Sequence, residues 1–234
     1  METRVTEVFY SISGEGISQG IPTVFVRMAG CGLRCGKTEN GKLWCDTEYS
    51  LSPNSGELLD LHTLLKKIES LSPQPTQVIL TGGEPLEGKN RDMTISLGIQ
   101  LAERRKKDEF PLPRIETNGK ESIRAIDHAV FTLDYKLPGS GMEKHMNREN
   151  FDILNHRKNP LDEIKFVVRN HQDFTRAIEI ISEWKLEDCN LIFSPVYGEM
   201  DAAELAEWVK SSHLKNSRLS LQLHKILWGN QRGV

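Results

Sequence analysis

Three of the four cysteines, Cys31, Cys35 and Cys45, fall within fifteen positions of one another, and Cys189 stands alone. Cys31-Gly32-Leu33-Arg34-Cys35 is followed, after the nine residues 36–44, by Cys45-Asp46-Thr47, with Trp44 immediately before the last cysteine. In a reducing compartment such a group is more often a metal or redox site than a disulfide staple. Three thiolates on one loop can hold three irons of a cubane cluster and leave the fourth iron free to bind a small molecule. They can equally belong to a structural zinc site, which wants a fourth protein ligand. His62 is the nearest histidine, but it sits in an expected helix without ligand-type spacing. On the cysteines alone, cluster and zinc stand level, and three ordinary buried thiols are the plainer reading. Cys189 reads as structural.

A second group follows a short strand: Thr81-Gly82-Gly83-Glu84-Pro85. Adjacent glycines let a ligand approach the backbone closely, although by themselves they also suit a plain strand-to-helix turn.

The elements that must position these groups alternate. Residues 5–10 and 23–28 are rich in β-branched and aromatic residues and read as strands, joined through the turn Ser13-Gly14-Glu15-Gly16. Residues 30–43 are polar and glycine-rich, hence loop. Leu58, Leu61, Leu65, Ile68 and Leu71 recur at helical spacing, with Pro73 and Pro75 beyond the end. Strand 77–80 precedes a helix carrying Met93, Leu97 and Leu101, whose C-terminal basic run 104–107 suits the helix dipole and a solvated end. Strands follow at 114–116, 129–133, 163–168 and 191–193, and the alternation of 219–223 predicts a last one. Phe174, Ala177, Ile178, Ile181 and Trp184 mark a further helix, and Asp201 and Glu204 cap another that carries Leu205, Trp208 and Val209. Such alternation implies a mostly parallel sheet in an α/β fold, with ligands at the carboxyl ends of the strands.

Composition bounds the rest. The chain has 234 residues, 38% apolar and 27% charged, and its 30 basic and 33 acidic side chains give a net charge of −3. It can bury a core, so global disorder is excluded. Near-neutrality argues against a dedicated nucleic-acid binder. The mean hydropathy is −0.44, and no apolar run approaches a membrane span. With no signal peptide in the sequence, the cytoplasm is the expected compartment.

Together, the cysteine loop and the Gly-Gly-Glu-Pro turn resemble the radical S-adenosylmethionine superfamily. Its common cysteine spacing is three and then two residues, with an aromatic before the last cysteine. Here the second gap is nine residues, and the insertion 36–43 has room to bulge outward. Ser11-Ile12-Ser13-Gly14-Glu15-Gly16, Gly20-Ile21-Pro22-Thr23-Val24-Phe25-Val26-Arg27 and Cys45-Asp46-Thr47 add specificity. So do Glu116-Thr117-Asn118-Gly119, residues 136–142, Lys165-Phe166-Val167-Val168 and Leu221-Gln222-Leu223-His224-Lys225. Over nearly its whole length the chain is similar to the 7-carboxy-7-deazaguanine synthase family of the queuosine and 7-deazapurine pathway.

The resemblance implies one radical-enzyme domain over 1–234, an incomplete (βα) barrel whose cluster-binding loop spans 30–47. It implies a carbon–nitrogen lyase that converts 6-carboxy-5,6,7,8-tetrahydropterin to 7-carboxy-7-deazaguanine with loss of ammonia. A 5′-deoxyadenosyl radical takes hydrogen from C6 of the pterin, and the ring then contracts. The implied cofactors are a [4Fe–4S] cluster on Cys31, Cys35 and Cys45, S-adenosylmethionine, and Mg²⁺ on Thr47. The implied partners are the pterin, a reductant such as flavodoxin or ferredoxin, and a second copy in a homodimer, but no nucleic acid or membrane. S-Adenosylmethionine falls to Trp44, Cys45, Asp46, Gly83, Glu84, Asp134, Tyr135 and Lys136, and further to Ser194, Pro195, Val196 and Tyr197. The substrate falls to Ile12, Ser13, Gly14, Glu15, Arg27, Thr81, Glu116 and His224. A carboxylate can accept the paired N–H donors of a pterin edge, which suits Glu15 and Glu116. A guanidinium suits the substrate carboxylate, and Arg27 ends a strand. The plainer roles are a surface cation for Arg27, a cap for Glu116, a polar strand residue for His224 and a turn hydroxyl for Thr47. Two other readings remain beside this one: another radical enzyme, such as a glycyl-radical activase, and a non-enzymatic zinc protein.

Overall fold

The computed structural model describes residues 1–37, 40, 43–105 and 113–234. Residues 38, 39, 41 and 42 of the expected loop, and Lys106 and Lys107 of the basic run, lie outside the described residues. The strands are β1 (Glu2–Ile12), β2 (Pro22–Met28), β3 (Glu57–Asp60), β4 (Gln77–Gly82), β5 (Arg114–Thr117), β6 (Val130–Tyr135), β7 (Glu163–Val168), β8 (Asn190–Pro195) and β9 (Ser217–Leu219). The helices are α1 (Leu61–Leu71), α2 (Lys89–Arg105), α3 (Arg148–Arg157), α4 (His171–Glu183), α5 (Ala202–Ser211) and α6 (Leu223–Trp228).

The described strands form one sheet in the order β3-β1-β2-β4-β5-β6-β7-β8-β9. Every neighbouring pair from β2 to β9 is parallel. Only β1 runs antiparallel, against β2 and β3. The sheet is not closed, which is the open, mostly parallel α/β architecture expected.

Period-two alternation divides the sheet into two chemically different faces. Val24, Val26, Val78, Leu80, Ile115, Phe131, Leu133, Tyr135, Ile164, Phe166, Leu191 and Phe193 face the helices and are buried in one core with Leu64, Ile68, Met93, Leu97, Ala177, Ile181 and Leu205. Each fully buried aliphatic side chain there contributes roughly 1.5–3 kcal/mol. The intervening residues, Arg27, Thr81, Glu116, Thr132, Asp134, Glu163, Lys165 and Ser194, line the other face. A face with so many charges does not pack against a second apolar layer, so it is where a polar ligand can sit.

Two local expectations change, and one helix, α3, is added to those the sequence revealed. Leu58 does not start α1: it lies in edge strand β3 and is 52% exposed. The Asp60 carboxylate accepts from Thr63 N at 2.7 Å and starts the helix there. Residues 219–223 are not one strand. After Leu219 the Ser220 amide still bonds Phe193 O, but the Leu223 amide donates to Gly14 O at 3.0 Å. This bond to the β1–β2 turn draws the chain off the sheet edge and into α6, so His224 is helical. Helix α3 had no apolar stripe to reveal it, since it buries Phe151 and Leu154 among polar residues. It begins at an Asn147 cap, and its buried Asn150 ties Gly119 O, Glu121 O and Ile123 N together.

The open side of the sheet is crossed by the β1–β2 turn. Gly16 N donates to Ser220 Oγ at 2.9 Å and Ile17 N to Glu163 Oε2 at 2.7 Å. A Cβ on Gly16, whose φ is +68°, would lie 2.3 Å from Glu163 Oε1, so only glycine lets the turn approach this closely. Beneath it, Arg114 spans Glu163 (3.4 Å), Thr132 (3.0 Å) and Leu161 O (2.8 Å), forming a buried polar floor.

Candidate active site

The cysteine loop leaves β2 at the carboxyl end of the parallel strands. Its first part is tied down: Gly30 N donates to Ser50 O (2.7 Å), Cys31 N to Leu51 O (3.2 Å) and Glu84 N to Gly30 O (2.7 Å). The Gly82-Gly83 pair packs directly beneath it. A Cβ on Gly83 would lie 2.2 Å from Gly30 O, which is why this turn needs a glycine. Cys31, Cys35 and Cys45 are all free and partly buried. Burial pushes the Cys31 thiol up to about 11 and raises Cys35 as well, and each thiol is disfavoured as a thiolate by the next. Among the described residues no three His, Cys, Asp or Glu side chains are already gathered into metal-holding geometry. The donor set nevertheless fits an iron–sulfur cluster. Three soft thiols on one loop are the ligand type that iron–sulfur clusters take.

Glu84 is fully buried, and its carboxylate faces the protein. It accepts from Leu86 N (2.9 Å), Thr117 Oγ1 (2.7 Å) and Asn118 N (2.8 Å). Burial raises it to about 7 against the pull of these donors. Its side chain therefore joins the turn after β4 to the turn after β5.

On the polar face, Lys165 lies at the centre. Its Nζ is 2.8 Å from Glu15 Oε2 and 3.9 Å from Asp134 Oδ2. Burial opposes its charge, yet Glu15, Asp134 and Glu116 together hold it well above the usual lysine range. Glu15 also accepts from Gln222 Nε2 at 2.7 Å. Burial would raise it, but Lys165 and Gln222 hold it down at about 2, so it is ionised. Glu116 is raised by burial, with Lys165 opposing and the charge on Glu15 adding. Lys136 Nζ bonds Asp134 Oδ2 at 2.6 Å. The cluster thus holds three carboxylates and two ammonium groups. Asp134 Oδ1, and Ser194 Oγ on β8, are buried without a partner. Unpaired buried acceptors of this kind mark a place for a ligand's donors.

At the rim, Arg27 Nε bonds Glu7 Oε2 at 3.2 Å, and its guanidinium lies 5.9 Å from the Phe9 ring centroid. Glu7 also accepts from Tyr49 Oη (3.1 Å) and from Arg232 Nη2 (2.6 Å) and Nε (2.9 Å). Two guanidiniums thus share one carboxylate.

The structure brings together Glu15, Glu116, Thr81, Asp134, Lys136, Ser194, Asp46 and His224. Gln222 Nε2 reaches Asp46 Oδ2 at 3.1 Å. His224 packs on Gly14, and burial lowers its pKa. Ser13 Oγ is occupied by Ser18 Oγ at 3.0 Å, its N–H donates to Ile21 O and its C=O accepts from Gly20 N, both at 2.8 Å, and Ile12 pairs with Pro22 in the sheet, so these two residues hold the turn in shape. Trp44 lies over Gly36 and under the Arg169 guanidinium, 5.6 Å from its centroid. Thr47 Oγ1 is 3.5 Å from Cys45 Sγ. Tyr135 is placed elsewhere. The alternation of β6 turns its ring into the helix-side core against Phe151 and Trp184, with its hydroxyl on Glu143. Val196 is buried, and Tyr197 is 60% exposed beneath Lys225. Neither these three nor Pro195 shows a free polar side-chain atom aimed at the polar face.

The sequence motifs contain Lys165, Gln222 and Asn118 without marking their roles, and no local pattern singles out Glu7, Tyr49 or Arg232. A lysine and glutamate facing inward on one strand were the available signal for Lys165. Nothing local could have paired residue 232 with residue 7.

A 4Fe-4S single cluster domain matches residues 12–119. The 7-carboxy-7-deazaguanine synthase of Leptospira interrogans is 57% identical over 100% of this chain and 99% of that protein. That of Clostridium acetobutylicum is 36% identical, covering 100% of both. Among solved structures, QueE from Escherichia coli superposes with a TM-score of 0.68 at 23% identity, covering 96% of this chain and 95% of that one, and shows the same fold. The cluster match and the full-length relatives set aside the zinc-protein and activase readings. This chain belongs to the 7-carboxy-7-deazaguanine synthase family of radical S-adenosylmethionine enzymes.

Proposed function

We propose that the chain, acting as one domain, converts 6-carboxy-5,6,7,8-tetrahydropterin to 7-carboxy-7-deazaguanine and ammonia. The observation that carries this reading is the polar sheet face, where Glu15 is held ionised by Lys165 at 2.8 Å while Arg27 stands at the rim. Glu15 and Glu116 accept the paired N–H donors of the pterin edge, and the Arg27 guanidinium takes the substrate carboxylate in place of Glu7. The Gly14 backbone, Thr81 and His224 complete the substrate's surroundings.

Cys31, Cys35 and Cys45 would hold the cluster, which with S-adenosylmethionine supplies the radical chemistry. Asp134, Lys136 and Ser194, the backbone at Gly83 and 195–197, and Trp44 to Asp46 orient that cofactor, and the unpaired Asp134 Oδ1 and Ser194 Oγ support this assignment. Thr47 contributes one oxygen to Mg²⁺, whose octahedron substrate and water must complete. The Arg114–Glu163 floor and the β1–β2 turn exclude water from below. A low-potential carrier such as flavodoxin or ferredoxin supplies the electron. No helix among the described residues is long and apolar enough to cross a membrane, and three thiols kept free fit a cytoplasmic enzyme. The exposed Ile226 and Leu227 of α6 support association of two copies.

Replacing Arg27 by alanine tests the substrate assignment. Loss of a charged hydrogen-bonded pair of about 1.5–3 kcal/mol lowers kcat/KM roughly 10- to 150-fold. Binding of S-adenosylmethionine should be unchanged. Turnover of the carboxylated pterin at the parent rate would overturn the assignment.

A further inference from the structure

The turn after β5 reaches the cysteine loop through a contact that none of the roles above uses. Asn118 is 7% exposed, and its Nδ2 lies 3.7 Å from Cys31 Sγ. Its orientation is fixed by its own neighbours. Lys120 N donates to Asn118 Oδ1 at 3.0 Å. A backbone N–H can only donate, so the atom it meets is the carbonyl oxygen and the atom facing sulfur is the NH₂ group. The backbone of the same residue is gripped by Glu84, through Asn118 N at 2.8 Å, and Glu84 also holds Thr117 Oγ1 at 2.7 Å. A second tie runs alongside: Glu87 accepts from Gly32 N at 2.7 Å and from Lys120 Nζ at 3.0 Å. The segment that carries the first cysteine is thus braced against 117–120 at two points, one of them the sulfur itself.

We propose that Asn118 is a positioning residue for electron transfer: its amide donates to the Cys31 thiolate and raises the reduction potential of the cluster that thiolate holds. The inference rests on the cluster, not on the identity of the substrate. Reduction adds one electron to the cluster and its sulfurs, and an N–H aimed at a ligating sulfur favours that added charge. The buried Glu84 then has a role distinct from binding a cofactor. It fixes the turn so that the amide cannot swing away from sulfur.

The test is an EPR-monitored redox titration of the anaerobically purified holoenzyme, comparing the parent with Asn118→Ala, Asn118→Asp and Thr117→Val. Losing one charge-assisted hydrogen bond should make reduction about tenfold less favourable, a downward shift of about 59 mV for one electron. Asn118→Asp should shift it further, since a carboxylate oxygen then faces the thiolate. Thr117→Val removes one donor to Glu84 but keeps Asn118 N on that carboxylate and the amide on sulfur, without changing charge, so its midpoint should match the parent. Midpoints of both Asn118 variants equal to the parent would overturn the proposal. So would an equal shift in Thr117→Val, or loss of the cluster from both Asn118 variants, since either result makes the contact structural. Failure to turn over the pterin would leave this result untouched and would bear only on the substrate assignment.

Discussion

Replacing Lys165 by methionine removes the cation around which the polar face is organised. At 2.8 Å from Glu15, a unit pair is worth about 6 kcal/mol at an effective dielectric constant of about 20, before desolvation is subtracted. Breaking a fully buried pair costs about 3–5 kcal/mol. Because Lys165 and Glu15 are 16% and 21% exposed, we expect the lower end, about 3 kcal/mol near neutral pH. For a domain of this size that lowers Tm by about 6–12 °C. The pH dependence carries the sharper signature. In the parent, Glu15 falls from 4.5 to about 2 on folding, so its stabilisation is complete above about pH 4.5 and is lost as pH falls toward 2. In the variant, burial remains but the cation does not, and Glu15 and Glu116 move above the ordinary glutamate range. A raised carboxyl is costly at neutral pH and is relieved on protonation, so the stability gap should shrink as pH falls from about 7.5 to about 5. Urea unfolding of the anaerobic holoenzyme, followed by circular dichroism across that range, measures it. A gap that is absent, constant or wider at pH 5 would refute the reasoning.

Three other outcomes are expected. Arg114→Met strands Glu163, both side chains being 2% exposed, and should cost about 3–5 kcal/mol in urea unfolding. A variant within about 0.5 kcal/mol of the parent would show that the floor does not depend on the pair. Gly14→Ala places a Cβ 2.4 Å from His224 Nδ1. It should cost about 1–3 kcal/mol as α6 is pushed aside, and steady-state assays should show KM for the pterin raised. On the proposed role of Thr47, turnover of the parent should rise with added Mg²⁺ and that of Thr47→Val should not, and a full Mg²⁺ response in the variant would remove Thr47 from the metal.

The architecture was legible because it rests on patterns with a fixed period. The parallel strands and α1, α4 and α5 carry strong apolar faces, α2 shows itself through the regularly spaced and buried Met93, Leu97 and Leu101, and the site residues fall toward the carboxyl ends of those strands. Elements without such faces were not legible. β3 is four residues of sheet edge with Leu58 outward, α3 owes its place to Asn150 and an Asn147 cap, and α6 begins where a bond to Gly14 overrides strand-like alternation. Within the site, residue types pointed to Glu15, Glu116 and Arg27, whereas their electrostatic state depends on partners remote in sequence. Lys165 is 150 positions from Glu15, and Arg232 is 225 from Glu7. Glu84 shows the converse limit. Its motif marked it for a cofactor, and only the fold reveals that its carboxylate also ties the turn after β4 to the turn after β5.

The most direct test of the central claim is anaerobic incubation of the cluster-loaded enzyme with 6-carboxytetrahydropterin, S-adenosylmethionine, Mg²⁺ and a strong reductant, read by mass spectrometry. Formation of 7-carboxy-7-deazaguanine is the expected result. No such product from protein with a verified intact cluster would contradict the substrate assignment built on Glu15, Glu116 and Arg27.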